Sequence, residues 1–164
     1  MDREGLRYAG LGFGLIAAFI LGGFLVGGWL ALLLPFFSLP GQAAFAAAGW
    51  TVGVAGFALV YWATAAFGYY GHGTPLPQIP PKRLVTRGPY RHIRSPIYVG
   101  WFLGWGGLGV ATGNLLYCGL GLFLLVAGTA YARRGERPAL AGKFGPEFER
   151  WVTATPEFVP RVRR

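Results

Sequence analysis

Residues 9 to 70 carry no charged side chain, and that absence constrains the fold more than any motif does. Two apolar runs fill the interval, Ala9 to Leu34 and Ala43 to about Tyr70, separated by the uncharged, two-proline turn PFFSLPGQ. At the rise of a helix the first run is about 39 Å long, enough to cross a bilayer with tilt. A second pair follows after a polar stretch. Tyr98 to Ala111 would form about 21 Å of helix and Leu115 to Ala132 about 27 Å, joined by the tight turn Thr112-Gly113-Asn114. The expected fold is an all-α integral membrane protein in one domain, residues 1–164. It has about four transmembrane helices (spans about 9–34, 43–70, 98–111 and 115–132), the last two a short hairpin, and a cytoplasmic C-terminal helix. The short first arm leaves two forms of the hairpin open, one crossing fully and one re-entering part way. Both return the tail to the same side.

Composition supports the membrane class: charged residues are 13% of the chain, hydrophobic residues 54%, and many of the 28 glycines lie inside apolar runs. A net charge of +9 raises nucleic acid as a partner. That is rejected, because the basic residues cluster at the ends of the spans, where anionic headgroups lie. The first run is too long for the hydrophobic region of a removable signal peptide and is expected to stay as a span. Cys118 is the sole cysteine, which excludes an internal disulfide and a multi-cysteine metal site, and His72 and His92 are too few to make one; no metal is expected. Arg3 and Arg7 precede the first span, Lys82, Arg83, Arg87, Arg91 and Arg94 lie in the long loop, and Arg133 and Arg134 open the tail. The short turns are uncharged, so the positive-inside rule puts both termini and the long loop in the cytoplasm. Gly23 and Gly27, Gly49 and Gly53, and Gly100 and Gly104 have the spacing that lets helices approach closely, within one bundle or across a homodimer. The oligomeric state stays open.

The six acidic residues are Asp2, Glu4, Glu136, Glu147, Glu149 and Glu157, none of them inside a span. A carboxylate relay for transport is therefore absent from the spans, and the chemistry belongs to the cytoplasmic edge. Two segments flank the hairpin there, LVTRGPYRHIRSPIYVG at 84–100 and RRGERPALAGKFGPEFERW at 133–151. The hairpin brings them together. Arg87, Arg91 and Arg94 read either as phosphate anchors or as ligand contacts, and Tyr90 and Tyr98 as interfacial belt residues or site residues. His92 reads as a neutral structural residue or a base. Glu136 either pairs with Arg133 and Arg134 or faces a ligand. Pro138 suits the first turn of a helix running to Trp151, and Phe144, Phe148 and Trp151 recur at i, i+4 and i+7 to give it an aromatic face.

The first segment resembles the signature G-x-Y-x-x-x-R-H-P-x-Y-x-G of the isoprenylcysteine carboxyl methyltransferase and phospholipid methyltransferase superfamily. The second resembles its partner, E-E-x-x-L followed by F-G-x-x-Y-x-x-Y, and the upstream GHGTPLPQIPPKRLV is similar to the bacterial branch. The resemblance covers about Gly71 to Arg161 and places the two signatures around a membrane hairpin, as here. It implies S-adenosylmethionine as methyl donor, held at the cytosolic edge by these segments. Carried over residue by residue, Tyr90, Arg94, Pro96, Tyr98 and Gly100 match the first signature, and Glu136, Leu140, Phe144 and Gly145 the second. The implied donor-binding set is Tyr90, Arg91, Arg94, Pro96, Tyr98, Gly100, Glu136 and Arg137, with Arg94, Glu136 and His92 as candidate catalytic residues. An arginine suits the donor carboxylate, aromatic faces suit the sulfonium, and a carboxylate suits the ribose hydroxyls and ammonium.

The chain also departs from the signatures. Ser95 stands at the histidine, with His92 near but out of register. Arg137 stands at the second glutamate, and Phe148 and Trp151 replace tyrosines. The implied function is methyl transfer from S-adenosylmethionine to a lipophilic or membrane-embedded acceptor: a phospholipid amine, an isoprenylcysteine-like group or a small lipophilic molecule. The bilayer and that acceptor are the expected partners. Two other readings compete, an NADPH-dependent membrane reductase of the sterol-reductase type and a non-catalytic membrane scaffold.

Overall fold

The computed structural model describes residues 3–33, 42–74 and 81–158. Most of the turn expected at 35–42 and the proline-rich residues 75–80 lie outside that set. Helix α1 (Arg3–Leu33) and helix α2 (Gln42–Ala66) take the two long apolar runs. A wider π turn, Phe67–Gly71, ends α2, with His72 in the left-handed region at φ 50°. Helix α3 (Pro96–Thr112) starts on a proline whose missing N–H costs nothing at that position. It ends on Gly113 at φ 70°, a conformation glycine adopts without penalty. Asn114 caps helix α4 (Leu115–Tyr131) by accepting the Leu116 N–H at 2.9 Å. A second π turn, Ala132–Glu136, carries the chain into α5 (Arg137–Phe144), and α6 (Pro146–Ala154) follows.

The helices run antiparallel. Gly5 and Ala9 near the start of α1 pack on Gly68 beyond the end of α2, and Gly49 near the start of α2 packs on Ala111 near the end of α3. Arg3, Arg7, the long loop and the tail therefore share one end of the bundle. α1, α2 with the π turn that ends it, and the continuous run Leu115–Phe144 that α4 opens are long and apolar enough to cross a membrane. Between them they turn Leu25, Trp29, Phe45, Trp50, Phe123 and Val126 outward, an apolar exterior that suits lipid and would be a liability in water. α3, at 17 residues, is shorter than any of these runs. It is also the most enclosed, with Trp105 fully buried and Gly104, Gly107, Leu108 and Ala111 buried around it.

The hairpin tip is fastened to α1. Asn114 Nδ2 donates to the Gly27 carbonyl at 3.1 Å, and the Tyr117 hydroxyl donates to the Phe24 carbonyl at 2.7 Å. Gly27 stands twenty residues beyond Arg7, about 30 Å along the helix and the thickness of a hydrocarbon core.

The small-residue pairs all face neighbours within the chain. Gly49, Gly53 and Gly56 of α2 lie backbone to backbone against Gly104, Gly107, Leu108 and Ala111 of α3, and Gly100 packs on Val60 and the Gly56 carbonyl. Gly23 lies under the Trp105 ring and Gly27 under the Tyr117 ring. Those two rings stack at 5.5 Å between centroids, and Phe57 meets Trp105 edge-on at 5.6 Å.

Candidate functional site

The two signature segments meet where the long loop returns to the bundle. Gly88, at φ 62°, admits a single 3-10 turn, Gly88–Arg91, that drives Tyr90 inward. Its ring meets Phe67 edge-on at 5.1 Å, inside a cluster with Ala63, Ala66 and Val85. Trp151 packs on the same cluster and donates its indole N–H to the Tyr90 carbonyl at 3.1 Å. Lys143 adds a second tie, donating to the Pro81 carbonyl at 2.8 Å.

The single helix expected from Pro138 to Trp151 is broken at Gly145, whose φ of 52° ends α5 and redirects α6. The aromatic face divides with it. Phe148 is buried and Trp151 lies 5.7 Å from it, both on the crevice between the two segments. Phe144 lines a different depression, with Tyr70 and Arg87.

Above the junction is a cavity of about 450 Å³, within the range of small-molecule sites. Its throat is apolar, with Leu15, Ile16 and Phe19 from α1 and Trp101 from α3; its floor is polar, with Tyr90, Arg94, Ser95, Tyr98 and Glu136. Leu15 and Phe19 are also about half exposed on the outer face of α1, so the throat opens toward lipid. Beneath the floor lies a crevice of about 40 Å³ bounded by Val85, Leu140, Phe148 and Trp151. Tyr90, Arg94, Ser95 and Glu136 border both spaces and form the partition between them.

The partition is electrostatically loaded. The Arg94 Nε is buried without a hydrogen-bond partner among the described residues, a costly state for a charged donor unless a ligand completes it. Burial lowers the Arg94 pKa and nearby Arg137 lowers it further, while Glu157 opposes them. Burial pushes Glu136 above the usual carboxylate range, against Arg137 and a hydrogen bond from the Tyr98 hydroxyl. Burial likewise raises Tyr90, helped by the Glu136 charge.

Of the expected residues, Tyr90, Arg94, Pro96, Tyr98 and Glu136 line the cavity, and Arg137 lines the crevice. Arg91 and His92 do not join them. Both are exposed on the outer side of the 3-10 turn, because the turn that buries Tyr90 sends its next two residues outward. Gly100 lies in the α2–α3 seam. Arg133 pairs with Glu157, at 2.9 Å, rather than with Glu136.

Glu157 was absent from the expected set, as was Thr64. Thr64 lines the cavity, and its Oγ1 is buried without a partner among the described residues. Thr51, Thr112 and Thr129 each donate to the carbonyl four residues back, the usual solution in a helix. The only sequence signal for Glu157 is that a basic tail with few acids needs a counter-charge; Thr64 gives none.

Fold and site together define a helical membrane protein with an amphipathic cavity at one membrane face, floored by two polar segments around a hairpin. Residues 44–147, more than half of the chain, match the phospholipid methyltransferase family, and the chain belongs to that family. It is also similar to the nickel-cobalt-cadmium resistance protein NccN of Alcaligenes xylosoxydans xylosoxydans, 35% identical over 79 residues, which is 48% of this chain and 37% of that protein.

Proposed function

We propose that the protein transfers a methyl group from S-adenosylmethionine to an acceptor that enters the cavity from lipid. The observation that carries this reading is the cavity floor: a guanidinium whose buried Nε has no hydrogen-bond partner among the described residues, a carboxylate and two tyrosines beneath an apolar throat. The residues suit the donor. Arg94 would take its carboxylate, Tyr90 and Tyr98 would face the sulfonium, and Glu136 would accept from its ammonium or ribose hydroxyls. The donor supplies an already activated methyl group, so the chain's own work is in-line placement and exclusion of water. Where the acceptor is an ammonium, a base must take its proton first. Glu136 is the carboxylate at the cavity, and its raised pKa suits that task. The polar end that holds Arg94 and Glu136 is read as cytoplasmic, where the soluble donor is found. The family match favours this reading over the reductase and scaffold alternatives.

Calorimetric titration of the detergent-purified protein with the demethylated donor is expected to show binding. Arg94→Gln is expected to weaken it about ten- to a hundred-fold, the worth of a charge-assisted hydrogen bond. Folded wild-type protein that gives no heat would sink the reading. Incubating membranes with labelled donor and separating lipid from protein then fixes the acceptor class by which fraction takes the label.

A further inference from the structure

Two departures from the signatures and one residue outside them meet in space. Ser95 stands at the signature histidine and Arg137 at the second glutamate. Their side chains are neighbours, with Arg137 Nη2 3.5 Å from Ser95 Oγ. The same nitrogen donates to Glu157 Oε1 at 2.7 Å. Arg133 grips the carboxylate from the other side, donating from Nη2 to Oε2 at 2.9 Å and from Nε to Oε1 at 3.2 Å. Glu157 rides on the strap 155–158 that follows α6, and the strap is itself bonded to the first signature. The Arg94 N–H donates to the Pro156 carbonyl at 2.9 Å, and the Ser95 N–H to the Glu157 carbonyl at 3.3 Å. One short segment therefore holds the first signature by its backbone and the second by its carboxylate.

The substitutions make sense as a set. A serine at 95 leaves room for the guanidinium of residue 137, which an imidazole would crowd. The carboxylate missing at 137 reappears at 157, paired with the arginine that stands in its place. Arg94, Arg133 and Arg137 would otherwise repel one another, and the Glu157 charge reaches all three. The environment is partly buried, with the Arg137 and Glu157 side chains 21% and 16% exposed, so the pair is less screened than a surface bridge.

We propose that Glu157 is a positioning residue of the donor site, and that Ser95, Arg137 and Glu157 together replace the histidine–glutamate pair of the signatures. This rests on the donor reading above. Glu157 touches no reacting atom; it fixes Arg137 against Ser95 and holds the backbone that presents Arg94.

The test titrates the full chain in detergent with the demethylated donor, and melts each variant without ligand. Glu157→Gln is expected to lose at least tenfold in affinity while still melting cooperatively, and Glu157→Asp to stay within threefold of wild type. Arg133→Gln removes a grip on the same carboxylate from outside the crevice and is expected to change affinity less than threefold. In a Ser95→His/Arg137→Glu background, which restores the signature pair, adding Glu157→Gln is expected to cost less than twofold. Wild-type affinity in Glu157→Gln, or an equal loss in both backgrounds, overturns the proposal with the donor reading intact. Absence of binding by folded wild-type protein overturns the donor reading, and the role of Glu157 with it. Ligand-free melting adds a donor-independent check: additive effects of changes at 137 and 157 would show that the two residues are not coupled.

Discussion

Two carboxylates that both feel the charge of Arg137 respond to pH in opposite senses. Glu136 has its pKa raised by burial. Its charge therefore costs stability, which is greatest below the unfolded value of about 4.3 and falls as pH rises through the folded pKa. Glu136→Gln is expected to raise the melting temperature at neutral pH, with the gain fading toward pH 4, while donor binding weakens. For Glu157, burial pushes the pKa up, but hydrogen bonds from Arg133 and Arg137 outweigh it and hold the group low. Its stabilisation is present above about 4.3 and is lost as pH falls through the folded pKa. Glu157→Gln is expected to lower the melting temperature at neutral pH, with the deficit closing in acid. Melting curves of both variants in detergent from pH 3.5 to 8 check the pair of signs. Thr64 offers a sharper contrast between stability and function. Replacing its unpartnered hydroxyl in Thr64→Val removes a buried polar group with nothing to bond, and is expected to stabilise by about 1–2 kcal/mol. If the hydroxyl meets the acceptor, turnover falls at unchanged donor affinity.

At the scale of elements, Trp151 shows how α6 governs a loop sixty residues away. Trp151→Phe keeps an aromatic ring on the Val85–Tyr90 cluster but removes the bond to the Tyr90 carbonyl. A loss of about 1 kcal/mol is expected from that bond alone, read as a lower melting temperature with weaker donor binding. The long helices were legible from the sequence because an uncharged run admits little else. That Arg94, Tyr90 and Glu136 would lie near one another was legible because the segments that carry them flank the hairpin. The break at Gly145 was present in the sequence as Gly145-Pro146, a strong stop signal, which the recurrence of Phe144, Phe148 and Trp151 overrode. The outward turn of Arg91 and His92 was not legible, since it follows from a single 3-10 turn whose phase depends on where Tyr90 finds its pocket. Glu157 was hidden for a different reason: its partners are twenty or more residues away, and no local pattern marks a long-range ion pair. The hairpin tip makes a further prediction. With its turn about 30 Å from Arg7 along α1, it is expected to reach the opposite surface. In a Cys118→Ala background, Leu115→Cys, which is exposed at the tip, should react with an impermeant maleimide from the side opposite Arg3. Reaction only after permeabilisation would mean that the hairpin re-enters.

Across the whole molecule, the α2–α3 seam is made of backbone. A methyl group at Gly56 would run into the Gly104 backbone, and one at Gly107 into that of Gly53. Neither can yield as the end of a flexible side chain would. Overpacking of this kind costs about 1–3 kcal/mol, occasionally more, so Gly56→Ala is expected to lower stability by that amount in a melting assay. The seam also acts as a keyway. Where backbone meets backbone there is no side chain to re-rotamerise, so α3 resists rolling and sliding against α2, and the azimuth of its first turn is set there. Pro96 and Tyr98 face the cavity because glycines further along the same helix lock its rotation. Lesions in this stretch should thus be read first as errors of aim: a screen for loss of the proposed methyl transfer is expected to recover seam glycines alongside Arg94, with turnover falling further than the donor affinity read by titration.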